Sequence, residues 1–169
     1  YFVGSNGKVY KIIDKKRVAY HCGTSMWNGR TDIDKYSIGI EVQGYYHSDI
    51  TPAQYAALRQ LIADLQEIYG VTDDRVLTHS MVAYGKPNRW FSRPHRGRKR
   101  CGMLFAKTGV RAKLGLTRRP VFDPDVYAGR LIIGDQYLAK ILYGKAPEQE
   151  KAIEHYLSDA ANMISKDRS

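Results

Sequence analysis

The stretch RVAYHCGTSMWNGRTDIDKYSIGIEVQG, Arg17 to Gly44, decides how the chain is read. RVAYH (Arg17 to His21) predicts a short strand and SIGIEV (Ser37 to Val42) another. The polar run TSMWNGRTDIDKY between them predicts a loop. Alternate side chains of an extended segment share a face, so Ser37, Gly39 and Glu41 fall on one side of the second strand. A carboxylate in so apolar a strand is paired, at an edge, or aimed at a cleft.

Upstream, YFVGSNGKVYKIID reads as a β-hairpin, because Asn6-Gly7 tolerates the positive φ of a tight turn and β-rich runs flank it. Downstream, TPAQYAALRQLIADLQEIYG predicts the clearest helix. Thr51 is the N-cap, Pro52 takes the first helical position, and Gln54 completes a capping box. Tyr55, Leu58, Leu61, Ile62, Leu65 and Ile68 form its apolar stripe, and Gly70 ends it. RVLTHS (Arg75 to Ser80) predicts another short strand, followed by a loop rich in Gly, Pro and Arg as far as Cys101. MLFAKTGVRAKLG predicts a short helix, and two more are expected near Asp125 to Tyr143 and Pro147 to Ile164. Strands interleaved with one strong helix, then helices, indicate an α/β (α+β) architecture: a mixed central sheet flanked by helices, with a helical C-terminal extension.

The 169 residues suit one domain with a small appendage. No apolar run has the length of a transmembrane helix and no signal-peptide pattern is present. Two cysteines, Cys22 and Cys101, make no disulfide framework; each is expected to act alone, as a small buried hydrophobe or as a ligand. The net charge of +10 is uneven: Lys86 to Arg119 holds 12 basic residues and no acidic one, while the flanking segments are close to balance. That asymmetry points to an anionic partner, against the plainer reading of a solvated basic face.

His79 closes RVLTH and Cys101 follows 22 residues later. Imidazole and thiolate are both zinc donors, although this spacing matches no short metal motif. Glu41, facing a cleft, has the chemistry of a general base.

Taken in order, RVAYHCGTSMWNGR, YSIGIEVQG, TPAQYAALRQLIADL, VLTHS and GRKRCG resemble the zinc-dependent N-acetylmuramoyl-L-alanine amidases, a superfamily that includes phage lysozyme-type amidases and peptidoglycan recognition proteins. The resemblance runs from Tyr1 to about Leu116. It implies an amidase-like catalytic domain over 1–116 and a helical extension over 117–169. It implies Zn²⁺ as cofactor, with His79 and Cys101 as metal ligands, Glu41 as general base and Lys99 as the group that steadies the oxyanion. His21, Trp27 and Ser37 match positions near the substrate groove. The implied reaction cuts the amide between N-acetylmuramic acid and L-alanine of peptidoglycan, at the bacterial cell wall or periplasm, as a phage endolysin or wall lytic enzyme does. The basic segment would then meet anionic stem-peptide carboxylates or wall polymers.

The chain departs from the family's pattern in three places. The family's first zinc histidine lies on a strand before the hairpin, upstream of Tyr1, so only two ligands are assigned, with His21 or His95 as substitutes. VAYGKPNRWFSRPHR reads as an insertion. Met103 follows Gly102 in place of the family's proline arrangement. Two other readings stay open: a peptidoglycan-binding module of the same fold without catalysis, and a basic nucleic-acid-binding protein using Trp90 and Phe91 for stacking.

Overall fold

A computed structural model describes residues 1–143. The expected helix from Pro147 lies outside them. The hairpin forms as anticipated: β1 (Phe2–Val3) pairs antiparallel with β2 (Val9–Tyr10), and Gly7 sits at φ +79° in the turn. β3 (Met26–Trp27) and β4 (Arg30–Thr31) form a second, two-stranded ribbon inside the segment expected to be loop. β5 (Glu41–Val42) adds to β1 in parallel, giving a mixed sheet of order β2-β1-β5.

The helix α1 (Pro52–Tyr69) carries the complete capping box: Thr51 Oγ1 accepts from Gln54 N, and Gln54 Oε1 accepts from Thr51 N. Gly70 follows in the left-handed conformation, φ 64°. Leu58, Leu61, Ile62 and Leu65 are buried against Val3 and against Leu104, Val110, Leu114 and Leu116. Ile68 is a correction to the expected stripe. It is 68% exposed, because the helix outruns the layer it covers.

Two expected strands do not form. Residues 17–21 join no ladder; the N–H groups of His21 and Cys22 go instead to the Asp34 carboxylate, at 3.2 and 2.6 Å. RVLTHS becomes a 3-10 turn (Asp73–Arg75), a short extended link, and the helical turn α2 (His79–Val82). The helix expected near MLFAKTGVRAKLG is a 3-10 turn (Met103–Ala106) followed by α3 (Thr108–Lys113).

Between these, β6 (His95–Arg96) pairs in parallel with β7 (Ile132–Ile133). The single helix expected over 125–143 is instead α4 (Pro124–Tyr127), β7 and α5 (Gln136–Tyr143). The break has a local cause. Gly129 takes φ 69°, and the N–H groups of Arg130 and Leu131 turn back to the Asp125 carbonyl. α5 packs Leu138, Leu142 and Tyr143 on Met81 and Ala106, with Trp27 and Phe122 at the margin, as a second core. No helix among the described residues is long and apolar enough to cross a membrane.

Candidate functional site

The site forms where the end of the 17–22 segment, β5 and α2 meet. His79 opens α2 and is partly buried; its Nε2 lies 2.9 Å from the Cys22 carbonyl oxygen. A carbonyl only accepts, so Nε2 carries the proton and Nδ1 keeps a free lone pair. Burial pushes the His79 pKa down and the neighbouring His21 and Lys99 charges add to this, against the hydrogen bond donated to the Cys22 carbonyl and the Glu41 charge. The ring is therefore held neutral, in one tautomer, with one nitrogen available.

His21 stands next to it, the two rings 6.0 Å apart and tilted by 31°. Its Nδ1 lies 3.2 Å from Glu41 Oε1. Glu41 itself is exposed on β5, while Ile40 and Val42 pack toward the core. The side-to-side alternation expected of SIGIEV holds over Ile40 to Val42, whereas Ile38 is 41% exposed. Gly39 explains how His21 fits: a Cβ there would lie 2.7 Å from the imidazole ring. Only a glycine lets the histidine rest on the strand.

Cys101 is exposed, and its carbonyl accepts the N–H of Ser80 at 3.1 Å. Gly102, at φ 74°, approaches Thr78 and the His79 amide. The chain of the basic loop thus closes directly on the turn that carries His79, across a sequence gap of 22 residues. Lys99 is partly buried in the same closure. The other cysteine behaves oppositely. Cys22 is buried, and burial together with the Asp34 carboxylate pushes its thiol up to about 12. It remains a protonated, inert thiol at neutral pH.

Of the remaining expected residues, Ser37 is exposed, donates to the Ile33 carbonyl at 2.9 Å, and contacts the Cys22 thiol. Trp27 belongs to β3 and leans on the second core. His95 is not drawn to His79. It is buried under Phe91, ring centroids 4.1 Å apart, with its backbone paired to Gly85. Asp34 was not singled out from sequence, yet it fixes the backbone of both His21 and Cys22. Its one signal was an acidic residue amid a loop that otherwise lacked partners for the preceding segment.

Zinc takes neutral imidazole and thiolate, and a backbone carbonyl commonly holds a ligating histidine by its other nitrogen. His79 with Cys22 has that arrangement, and Cys101 supplies the sulfur type, so these donors fit the ion. Among the described residues no three His, Cys, Asp or Glu side chains converge as a complete metal site.

A family model described as N-acetylmuramoyl-L-alanine amidase matches residues 1–101. The 1,6-anhydro-N-acetylmuramyl-L-alanine amidase AmpD of Haemophilus influenzae is 32% identical over 79 residues, 46% of this chain and 43% of that protein. AmpD of Enterobacter cloacae is 33% identical over 78 residues, 46% of this chain and 42% of that protein. The N-acetylmuramoyl-L-alanine amidase AmiD of Escherichia coli is 30% identical over 89 residues, 46% of this chain and 32% of that protein. The chain spans less than half the length of each of these curated relatives.

Proposed function

Because the chain belongs to the N-acetylmuramoyl-L-alanine amidase family, we propose that it hydrolyses the amide joining N-acetylmuramic acid to L-alanine in peptidoglycan, as a cell-wall lytic enzyme of bacterial or phage origin. The observation that carries this reading is His79. Its Nε2 is fixed by the Cys22 carbonyl, and its ring is grouped with His21 and Glu41 in one cluster.

His79 and Cys101 are the residues that would hold Zn²⁺. When bound, the ion supplies Lewis acidity for the scissile carbonyl and acidifies water. The chain's own residues do the rest. Glu41 takes a proton from the attacking water and returns it to the L-alanine nitrogen as the C–N bond breaks; the hydroxyl stays on the lactyl carbon as a carboxylic acid. His21 holds one Glu41 oxygen, leaving the other free for the proton. The Lys99 ammonium faces the oxygen that gains charge, an effect worth about 3 kcal/mol in comparable oxyanion sites. Exposed Ser37 and Trp27, which packs on the second core, are the residues this reading assigns to substrate contact.

Two variants separate chemistry from metal binding. Glu41→Ala is expected to lower peptidoglycan lysis by about 100-fold or more with zinc content unchanged by elemental analysis. Cys101→Ser is expected to lose zinc and activity together. Undiminished lysis by the first variant removes Glu41 from its role, and full zinc retention by the second removes Cys101.

A further inference from the structure

The turn at residues 86–91 has no part in that chemistry, yet it is built with care. Residues 86–90 are all exposed, and Trp90 stands 74% exposed at the tip. Asn88 Oδ1 accepts the N–H groups of both Trp90 and Phe91, at 2.8 and 3.1 Å, and the Asn88 N–H donates to the Phe91 carbonyl at 2.8 Å. Phe91 is stacked on the buried His95. His95 fits between two glycines: a Cβ at Gly85 would lie 2.4 Å from its ring, and one at Gly134 3.0 Å. The tip is thus fixed by side-chain hydrogen bonds and anchored to a buried ring. A tryptophan mounted this way loses little freedom on binding.

The charge around it is equally specific. Much of the basic segment serves the fold itself. Arg96 pairs with buried Asp123 and Asp125, Arg100 with Asp135, and Arg93, Arg111 and Arg119 donate to backbone carbonyls. Lys86 and Arg89 remain on the exposed turn, the Arg89 guanidinium 4.5 Å over one face of the Trp90 ring. That contact leaves the opposite face to solvent.

We propose that the Arg89–Trp90 turn is a second contact for the glycan strand of peptidoglycan, separate from the His79 site. The open Trp90 face takes the apolar C–H face of a sugar ring, while Arg89 and Lys86 meet free carboxylates of the stem peptides. A nucleic acid fits less well. Strand binding without sequence preference uses several stacking rings along a basic groove, and among the described residues this turn offers one exposed ring, its neighbour Phe91 being stacked on His95. The inference rests on the peptidoglycan reading above, and the test keeps the two apart.

Co-sedimentation with purified insoluble peptidoglycan measures binding, and turnover of a soluble monomeric muropeptide measures hydrolysis. Trp90→Ala is expected to weaken sedimentation about tenfold and to leave muropeptide turnover unchanged. Trp90→Tyr, which keeps a ring face, restores most of the binding. Arg89→Gln weakens binding less and flattens its salt dependence. Wild-type sedimentation by Trp90→Ala overturns the proposal, as does tighter Trp90-dependent binding to oligo-dT than to peptidoglycan. Trp90-dependent sedimentation without muropeptide turnover by the wild type sustains the contact and sinks the hydrolytic reading alone.

Discussion

Which nitrogen His79 presents is decided by a backbone carbonyl 57 residues away in sequence, at Cys22. Neither residue alone implies it. What sequence did offer is the candidates of the proposed site: a histidine after an apolar run, a glutamate among isoleucines, and a cysteine after a basic run. Burial separated the two cysteines, and burial follows from neighbours that the chain order does not list. Asp73 shows the same dependence in a structural role. Its carboxylate accepts from the Gln66 side chain at 2.9 Å, from the Thr117 N–H and hydroxyl at 2.7 and 2.9 Å, and from the Arg118 N–H. These bonds, led by Gln66, hold its pKa well below the usual carboxylate range. A depressed folded pKa gives stabilisation that is complete above the unfolded value, about 4, and is lost as pH falls below it. Asp73→Asn is therefore expected to cost about 1–2 kcal/mol at pH 7. The gap from wild type should close in urea unfolding below about pH 4. A gap independent of pH contradicts this assignment.

Elements were legible in proportion to how local their signals are. α1 could be read from cap to cap, because Thr51, Pro52, Gln54 and Gly70 act within a turn of their own position. The strands were not, because a ladder needs a partner. Residues 17–21 have strand composition but bond to Asp34, and the apolar run before His79 ends in a helical turn. The largest miss is Arg96. In sequence it is only one of the 12 basic residues between Lys86 and Arg119, yet it is buried and bonds Asp123, Asp125 and the carbonyls of Met26, Val82 and Ala83. One side chain thereby ties β3, the end of α2, β6 and α4 together. Arg96→Met leaves two buried carboxylates short of their partner and is expected to cost about 3–5 kcal/mol in urea unfolding. A loss under about 1 kcal/mol would show that the carboxylates find other partners.

At the scale of the molecule, the fold is two cores joined at the functional cluster. The first is α1 over the mixed sheet, and the second is α5 over the loop and α2. α2 carries His79 at one end and Met81 of the second core two residues on, so the site's position depends on both. The charge asymmetry was visible from composition, but its meaning was not. Much of it neutralises buried carboxylates and satisfies carbonyls, and the turn at Trp90 retains part of it for solvent. The order of motifs was the most informative whole-chain signal, because the proposed function would need His79, Glu41 and Cys101 in one place, and no single separation encodes that. Which bond the chain cuts can be read directly. The direct measurement is end-group analysis of purified peptidoglycan after incubation with the zinc-loaded chain. New L-alanine amino termini appearing without new reducing sugar ends, and absent with His79→Ala, is the predicted result. New reducing ends, or no new amino termini from a chain that binds both zinc and peptidoglycan, would contradict it.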